Sequence, residues 1–456
     1  MSALDSRSVI VALPTISIHF DSSLALVQWI PLAYQLTIIG FVLSLARLGD
    51  RLGRKKIYAS GFLLLALGSA LCGLSTALWQ IIAFRVLAGI GGAMVLANGR
   101  AIISTLYAQH ERGRALGIMS MAFHLGYITG PSLGGFLIDT VGWRWIFYLN
   151  LPAALAAALM AWKILPESAA AGEKQSMDPL GMITLFLAAV TLLLGLQQIA
   201  KSGLTAAAAA TFAATAVFVA LLLHIERKSA APLLDLSLFK VRVLTAGVAS
   251  HLFVVISHSA TFFLLPFYLQ GILHFSATQV GLTIIFFSLV IVFLAPLGGW
   301  LGDRLGSRLL CTTGSALAVI SMFLFSRLGS DSGPTAVMLP LVILGVGWSI
   351  FQAPNLSAIF GAVEARHVGA VSGISLTSAN IANATGVAIG SMLFLRWLNY
   401  FGLSGSVVPA YTQWSENPGV FLVAFERSWL VIAGLTVIAV FASALRGADK
   451  RTRSSQ

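Results

Sequence analysis

Long apolar segments recur along the whole chain of 456 residues and are separated by short polar loops. A run of 18 or more mainly apolar residues is long enough to cross the hydrocarbon core of a bilayer as a helix. Proline, glycine and charged residues mark where successive segments end. The pattern predicts fourteen membrane-spanning helices, at 3–20, 28–46, 57–76, 79–103, 116–138, 146–165, 180–200, 204–224, 244–270, 277–301, 309–327, 335–361, 368–395 and 427–445.

The composition agrees with an all-α protein embedded in a membrane. Hydrophobic residues make up 58% of the chain and charged residues only 10%, and the mean hydropathy is +0.90. Soluble domains carry about 25% charged residues. The formal charge of +12 does not indicate a nucleic-acid partner, because arginine and lysine lie between apolar runs and not on one amphipathic face.

The positions of lysine and arginine predict the orientation in the membrane. Most of the 28 basic residues fall in the loops on one side of the predicted spans. Since cytoplasmic loops carry the excess of positive charge, both termini are expected in the cytoplasm. The predicted location is the inner (cytoplasmic) membrane, with 396–426 as the longest outside segment.

The chain repeats itself. The string LGDRLG occurs at 48–53 and again at 301–306, and Gly130 recurs as Gly386 at nearly the same spacing. Two related halves flanking a central site are typical of alternating-access carriers. The spacing predicts a six-helix bundle at 1–165, two inserted helices within 166–228, and a second six-helix bundle at 229–456 with a cytoplasmic tail.

Several chemistries are excluded or disfavoured. The dipeptide Gly-Lys is missing from the sequence, so no phosphate-binding loop of the G-x-x-x-x-G-K-[ST] type is present. The two cysteines, Cys72 and Cys311, lie in or beside apolar runs and imply no disulfide or metal framework. We therefore expect no metal and no cofactor, and coupling either to an ion gradient or to an unseen partner.

A glycine-rich basic loop, ARLGDRLGRKK at 46–56, joins the second and third spans. Its glycines permit a tight turn, its aspartate can accept hydrogen bonds from a helix N-terminus, and its cations complement helix C-termini. Any short cytoplasmic loop collects basic residues, but the second copy repeats the aspartate too. The predicted gating loop comprises Asp50, Arg51, Gly53, Arg54, Asp303 and Arg304.

The fifth span contains GYITGPSLGG. Pro131 removes a helix hydrogen bond, and glycines allow close approach of another helix. The second half keeps two of these glycines but has Val387 in place of Pro131, which favours a function over generic packing. The motif residues are Gly126, Gly130, Pro131, Gly134 and Gly135.

Two charged residues within spans, Asp5 and Arg85, are candidates for proton coupling. A charged side chain at the centre of a bilayer costs about 2.5–3.5 kcal/mol by insertion scales. An aspartate facing an arginine stays ionised, and separation of the two favours its protonation. The structural alternatives are that Arg85 reaches the outer interface and that Asp5 caps a short first span.

Uncharged polar residues within spans are candidates for a substrate cavity. Ordinary hydrogen bonds between helices are the alternative for each of them. Histidine is favoured because it can both carry a proton and bind a substrate. The predicted cavity residues are Gln35, Asn98, His124, His258, Asn355 and Asn380.

These motifs resemble those of a known family. The gating loop resembles the signature G-x-L-x-D-R-x-G-R-K of the major facilitator superfamily, with Ala46 in place of the first glycine. The segment at Arg85 is similar to the R-x-x-x-G-x-G-x-A signature of the same superfamily. The glycine motif of the fifth span resembles that of drug:proton antiporters. LDSRSVIVALP is similar to the L-D-x-T-I-V-N-V-A-L-P signature of fourteen-helix EmrB/QacA-type exporters, with Arg7 and Ile10 in place of threonine and asparagine.

The resemblance covers essentially the whole chain and implies a major facilitator fold. It further implies a latch role for the gating loop, proton transfer at Arg85, and proton-driven export of small amphipathic compounds. An exporter or symporter of one metabolite on the same fold is the first alternative. A membrane-embedded enzyme is disfavoured, because the usual clustered His-Asp or nucleophile arrangement is missing. The expected partners are a small molecule, protons and the bilayer, and a periplasmic adaptor remains open.

Overall fold

The computed structural model describes residues 2–106, 111–166, 178–229, 236–364, 367–401 and 417–447. Across these ranges the secondary structure is helical, and fourteen of the helices have 15 residues or more. They are α1 Ser2–His19, α2 Trp29–Leu52, α3 Arg54–Leu74, α4 Leu78–Leu106, α5 Arg112–Thr140, α6 Asn150–Ile164, α7 Pro179–Ser202, α8 Ala206–Lys228, α9 Arg242–Gly271, α10 Ala277–Leu305, α11 Ser307–Phe325, α12 Pro334–Gly361, α13 Val368–Tyr400 and α14 Pro418–Ala444.

Each predicted span falls on one of these helices. Twelve helical segments of the described chain are long and apolar enough to cross a membrane. The other two are α1, whose hydropathy is lowered by Asp5 and Arg7, and α5, which is rich in glycine and small polar residues. The prediction of an all-α membrane protein is therefore confirmed.

The last helix begins earlier than predicted. The sequence pattern places the start near residue 427, whereas α14 begins at Pro418 and α13 continues to Tyr400. Glu426 and Arg427 caused this error, because adjacent charges are typical of loops. In the structure they occupy the less buried face of a helix whose other face buries Phe425. The expected outside segment 396–426 is too long at both ends.

The two halves pack with the same pairing of helices. In the first half, α1 contacts α5, α2 contacts α4, and α3 contacts both α4 and α6. The same pairs recur in the second half as α9 with α13, α10 with α12, and α11 with α12 and α14. A Cβ atom at Gly91 would lie 2.6 Å from the carbonyl oxygen of Gly61, and one at Gly347 would lie 2.7 Å from that of Gly314. The sequence repeat is thus a repeat of helix crossings.

The halves meet along a symmetric set of contacts. Helix α1 packs on α9 in the centre, α5 packs on α10, and α2 packs on α13. Helix α7 lies against α2 and α13, so it contacts both halves on one side of their interface. Helix α8 packs on α7, and most of its surface is exposed. The interface between the halves is where a central cavity forms.

Candidate functional site

A buried ion pair joins α1 to α4. The guanidinium Nη1 of Arg85 donates to Oδ2 of Asp5 at 2.7 Å, and both side chains are 1% exposed. The amide nitrogen of Asn150 donates to the other carboxylate oxygen at 2.8 Å. The ring of Tyr34 lies 4.3 Å from the guanidinium. The structure thus holds Arg85 inside the bundle, and Asp5 is bonded on both oxygens.

Burying this ion pair costs desolvation free energy, and removing one of its partners costs stability as well. Removing one partner of a buried ion pair leaves an uncompensated charge, which typically destabilises a protein by about 3–5 kcal/mol. The aspartate lies close to the start of α1, and Arg85 lies two turns into α4. The pair therefore links α1 to α4 inside the first half.

The ion pair borders a small cavity between the two halves. The cavity volume is about 40 Å³, and its walls come from α1, α2, α4 and α5 of the first half and α9 and α13 of the second. Such a volume admits water molecules, whereas pockets for drug-sized ligands have about 300–1,000 Å³. Gln35 and Arg85 are the predicted residues that line it. Accommodating a larger compound requires the halves to separate.

Arg7 is a second cation at this cavity. It is 6% exposed, and its guanidinium lies 4.3 Å from the ring of Tyr127 and 4.4 Å from that of Phe262. Its Nη2 is 3.1 Å from Nε2 of His258 in α9, which links the two halves. The sequence signal for this residue was its departure from the threonine of the signature, but it was not among the predicted site residues.

His258 lies behind Arg7 and not in the cavity wall. Its ring stacks on Trp348 at 4.7 Å and packs against Phe262 and Phe287. Because arginine only donates hydrogen bonds, Nε2 of His258 accepts from Arg7 and carries no proton in this arrangement. The histidine is therefore neutral here and positions the arginine.

Two of the predicted cavity asparagines make local structural bonds. Asn98 donates to the carbonyl oxygens of Leu45 and Met94, and it packs closely on Gly49 of the gating loop. Asn380 donates to the carbonyl oxygen of Leu376, one turn earlier in its own helix. Neither residue lines the cavity.

Asn355 is also placed elsewhere. It donates to the carbonyl oxygen of Gly247 at 3.3 Å and accepts from the guanidinium of Arg446. Arg446 is fully buried beyond the end of α14 and also donates to Ser250 and Ser307. Asn355 therefore helps to fix the residues that directly follow α14 against α9 and α12. The side chain of the remaining predicted cavity residue, His124, lies outside the described residues.

The first gating loop is a glycine turn attached to α4. Gly53 has φ +97°, a left-handed conformation that favours glycine. Asp50 accepts a hydrogen bond from Nε of Arg54 at 2.7 Å. Arg54 also donates to the carbonyl oxygen of Ala101 at 3.2 Å, and Arg51 is exposed. The loop is thereby held at the end of α4.

The second gating loop keeps the turn and changes the contacts. Gly306 has φ +81°, matching Gly53. Asp303 and Arg304 are exposed, and the guanidinium of Arg304 lies 4.0 Å from the ring of Trp300. Ser307 stands where the first copy has Arg54.

The glycine motif of α5 lets this helix approach two others. Gly130 and Gly134 face α1, where the hydroxyl of Ser8 donates to the carbonyl oxygen of Gly130 at 2.8 Å. Gly135 faces α10 of the other half and lies against the carbonyl oxygen of Ala277. Gly126, also of the motif, is buried. The motif therefore joins the helix that carries Asp5 to the interface between the halves.

The contact of α5 with α10 is closed by hydrogen bonds. The carbonyl oxygen of Pro131 lies against Gly281. Beyond the motif, Asp139 accepts from the backbone amides of Ala277 and Thr278, at 3.1 and 2.7 Å. These amides belong to the first turn of α10, which leaves its backbone donors free for such a partner. Sequence reasoning missed Asp139, because the contact depends on how the halves meet.

The fold and the charged central cavity define a multi-pass membrane transporter. The model of the Major Facilitator Superfamily matches residues 1–387 and 247–453 of the sequence. The chain belongs to the Major Facilitator Superfamily, as its motifs indicated.

Similar proteins include transporters with different substrates in their names. The riboflavin transporter RibZ of Clostridioides difficile is 28% identical over 453 residues, which cover 99% of this chain and 96% of RibZ. The multidrug resistance protein Stp of Mycobacterium tuberculosis is 30% identical over 403 residues, covering 88% of this chain and 74% of Stp.

A solved structure with a similar fold is an inward-facing, occupied bacterial homolog of the human lysosomal transporter Spinster. The TM-score is 0.70 at 16% sequence identity, and the match covers 97% of this chain and 93% of the other. At this identity the match supports the fold alone.

Proposed function

We propose that this transporter is a proton-coupled antiporter that exports small amphipathic compounds across the cytoplasmic membrane, with both termini in the cytoplasm. In this proposal it is a fourteen-helix exporter of the EmrB/QacA type. The observation that supports it best is the buried pair of Asp5 and Arg85 at the central cavity. Intramembrane ionisable residues of this kind mark ion pathways.

The proposed cycle opens and closes this ion pair. While Arg85 touches Asp5, the carboxylate is stabilised and unprotonated. Movement of α1 relative to α4 on the outward-facing side of the cycle would withdraw the cation, so the aspartate takes up a proton. Return to the inward-facing state restores the pair and releases the proton to the cytoplasm. A membrane potential adds about 2.3 kcal/mol per charge per 100 mV to such a step.

The contacts between the halves supply the alternation. In this proposal the bonds of Asp139 in α5 to the start of α10 close the outside end, and the loop of Asp50 and Arg54 acts at the cytoplasmic end. Exchange between the two requires movement of the halves about their central interface, accompanied by the shift of α1 against α4 within the first half. The other helices of each half share the same pairing and can move together.

Efflux of diverse compounds is supported by relatives. Stp is named a multidrug resistance protein, and MdtP of Bacillus subtilis, 27% identical over 418 residues, is named a multidrug transporter. A carrier of a single metabolite is the second candidate. It is favoured by RibZ, which matches over nearly its full length, whereas 74% of Stp is matched.

Transport in reconstituted vesicles tests the proposal. Purified protein would be placed in vesicles with an imposed pH gradient, and the flux of ethidium, of riboflavin and of protons would be followed by fluorescence. We expect proton-driven flux in the wild type and its loss in Asp5→Asn, with ligand binding preserved. Arg85→Lys keeps the charge and is expected to retain part of the flux.

The outcomes separate the alternatives. Unchanged proton-driven flux in Asp5→Asn would contradict the coupling role of the ion pair. Flux of riboflavin without flux of ethidium, at the same pH gradient, would favour the single-metabolite carrier over the multidrug exporter.

A further inference from the structure

The cavity carries more positive charge than its own residues compensate. Arg85 is paired with Asp5, but in the described part of the chain no carboxylate lies within salt-bridge distance of Arg7. The described residues that line the cavity include no acidic side chain. Burying an unpaired cation is costly. A ligand that brings a negative charge would therefore be stabilised here.

The contacts of Arg7 hold the guanidinium without neutralising it. Its partner His258 is neutral in this arrangement, because its Nε2 accepts a hydrogen bond from arginine. The rings of Tyr127 and Phe262 attract the cation. Arginine presents five donors in a fixed fork, and the bond to His258 uses one of its terminal nitrogens. The planar fork suits carboxylate or sulfonate oxygens.

The positive charge at the cavity comes from the first half. Gly130 packs on Arg7 in the first half, and its repeat Gly386 packs on Ser259 in the second, so Ser259 is the counterpart of Arg7. Ser259 donates to Oδ1 of Asn383, which also lines the cavity. The second half thus offers neutral polar groups where the first half offers a cation.

The remaining wall can receive an aromatic group and further hydrogen bonds. Tyr127 and Phe262 present rings beside the cation. The amide oxygen of Gln35 has no hydrogen-bond partner in the described structure, and Gln35 lines the cavity. The hydroxyl of Tyr34 also has none there, but it lies against Gly92. Orphaned buried polar atoms at a cavity are typical of a site that a ligand completes.

We infer that Arg7, framed by Tyr127 and Phe262, is the binding site for the anionic group of an aromatic monoanion, such as a carboxylate or sulfonate. The anion accepts hydrogen bonds from the part of the guanidinium that does not bond to His258. The inference rests on the proposed transport function and specifies the substrate class of the same cavity.

Binding of matched probes to the full-length protein tests this site. The protein would be placed in phosphatidylcholine nanodiscs and titrated with naphthalenesulfonate, naphthalenemethanol and naphthylmethylammonium. These probes share one ring system and differ in charge. We expect the sulfonate to bind at least about tenfold more tightly than the other two, since a charge-assisted hydrogen bond contributes roughly this factor.

Variants assign the preference to one residue. Arg7→Gln is expected to remove the preference, and Arg7→Lys is expected to keep the order of the three probes. Arg327→Gln is the matched control, because it removes an arginine that also lies near a ring, that of Phe323, at an exposed position away from the cavity. This control should bind like the wild type.

Several results would overturn the anion site. They are equal or tighter binding of the ammonium probe, failure of all three probes to bind the wild type, or a sulfonate preference that survives in Arg7→Gln. Nanodiscs that contain phosphatidylglycerol distinguish the source of the anion. If phosphatidylglycerol competes with the sulfonate, the site binds a lipid headgroup. If it does not compete, the site binds a free compound. Either result supports an anion site.

The vesicle assay separates this inference from the proposed function. Proton-driven flux of ethidium without sulfonate binding would overturn the anion site and leave antiport intact. Sulfonate binding without any proton-driven flux would overturn antiport and leave the anion site intact.

Discussion

At the scale of single residues, the chemistry of the site differs between two halves that repeat the same pairing of helices. Gly130 packs on Leu4 in the first half, and its repeat Gly386 packs on Ile256 in the second, so these two residues are counterparts. The residues that follow them, Asp5 and Ser257, are therefore counterparts too. Ser257 bonds with the hydroxyl of Thr436. The second half therefore has a neutral hydrogen bond where the first half has an ion pair. Only the first half carries the proposed proton site.

Sequence reasoning found the charged pair but missed the residues around it. Asp5 and Arg85 are conspicuous because charges in apolar spans are costly. Asn150 is not conspicuous, since asparagine near the start of a span is an ordinary helix-end residue. Its role depends on packing between α3 and α6 that brings it to Asp5. The sequence contains no signal for that distance.

Asn150→Ala tests how far the second bond to Asp5 supports the pair. The change removes a donor to a buried carboxylate, which is expected to cost about 1.5–3 kcal/mol of stability. We expect a lower thermal unfolding temperature and weaker coupling of substrate flux to the pH gradient. Asn399→Ala is the control, because Asn399, near the end of α13, donates to a backbone oxygen, that of Ala200. Equal effects of both changes would remove Asn150 from the mechanism.

At the scale of helices, the hydrophobic pattern predicted positions well and ends less well. All fourteen spans fall on helices, because runs of this length have one stable form in a bilayer. The start of α14 was misplaced, since charged residues on an exposed helix face look like a loop. Helix crossings were predicted only through the repeated glycines, which mark where two backbones approach.

Gly135→Ala tests the crossing of α5 and α10. An added methyl group would meet the backbone of Ala277 and cannot be relieved by moving a flexible side chain. We expect the outside end to open, seen as faster labelling of a cysteine introduced at Thr278 in a Cys72→Ala, Cys311→Ala background. Gly299→Ala is the matched control in α10, where nothing lies within 4 Å of the new methyl group. Labelling that matches the control would contradict the role of this crossing.

Asp50→Asn tests the first gating loop. The pair with Arg54 is partly exposed, so its loss should cost about 1 kcal/mol of stability or less. We expect a folded, inserted protein that has lost transport, because the loop no longer fixes the end of α4. Asp303→Asn should have a smaller effect, since the second copy has Ser307 at the position of Arg54 and so lacks one of the cations of the first copy. Transport at the wild-type rate in a well-expressed Asp50→Asn protein would exclude this loop from the cycle.

At the scale of the whole molecule, the repeat organises the fold and the inserted helices break its symmetry. Helix α7 covers the contact of α2 with α13, and no described helix covers the equivalent contact of α5 with α10 in the same way. The glycine motif lies on that second contact, where α5 meets α10 closely. The two sides of the interface therefore differ in how freely they can part.

The orientation of the molecule is the last prediction. If α7 and α8 both cross the membrane, the turn at Gly203 lies outside while the end of the chain at Gln456 lies in the cytoplasm. Alkaline phosphatase fused after each position is active only outside, and green fluorescent protein is fluorescent only in the cytoplasm. We expect phosphatase activity at Gly203 and fluorescence at Gln456. The basic residues beyond α14 favour this result, because positive loops remain inside. Reporters on the same side would mean that α7 and α8 do not form a spanning pair. Fluorescence at Gly203 with phosphatase activity at Gln456 would reverse the orientation, and the outside assignment of Asp139 would then be wrong.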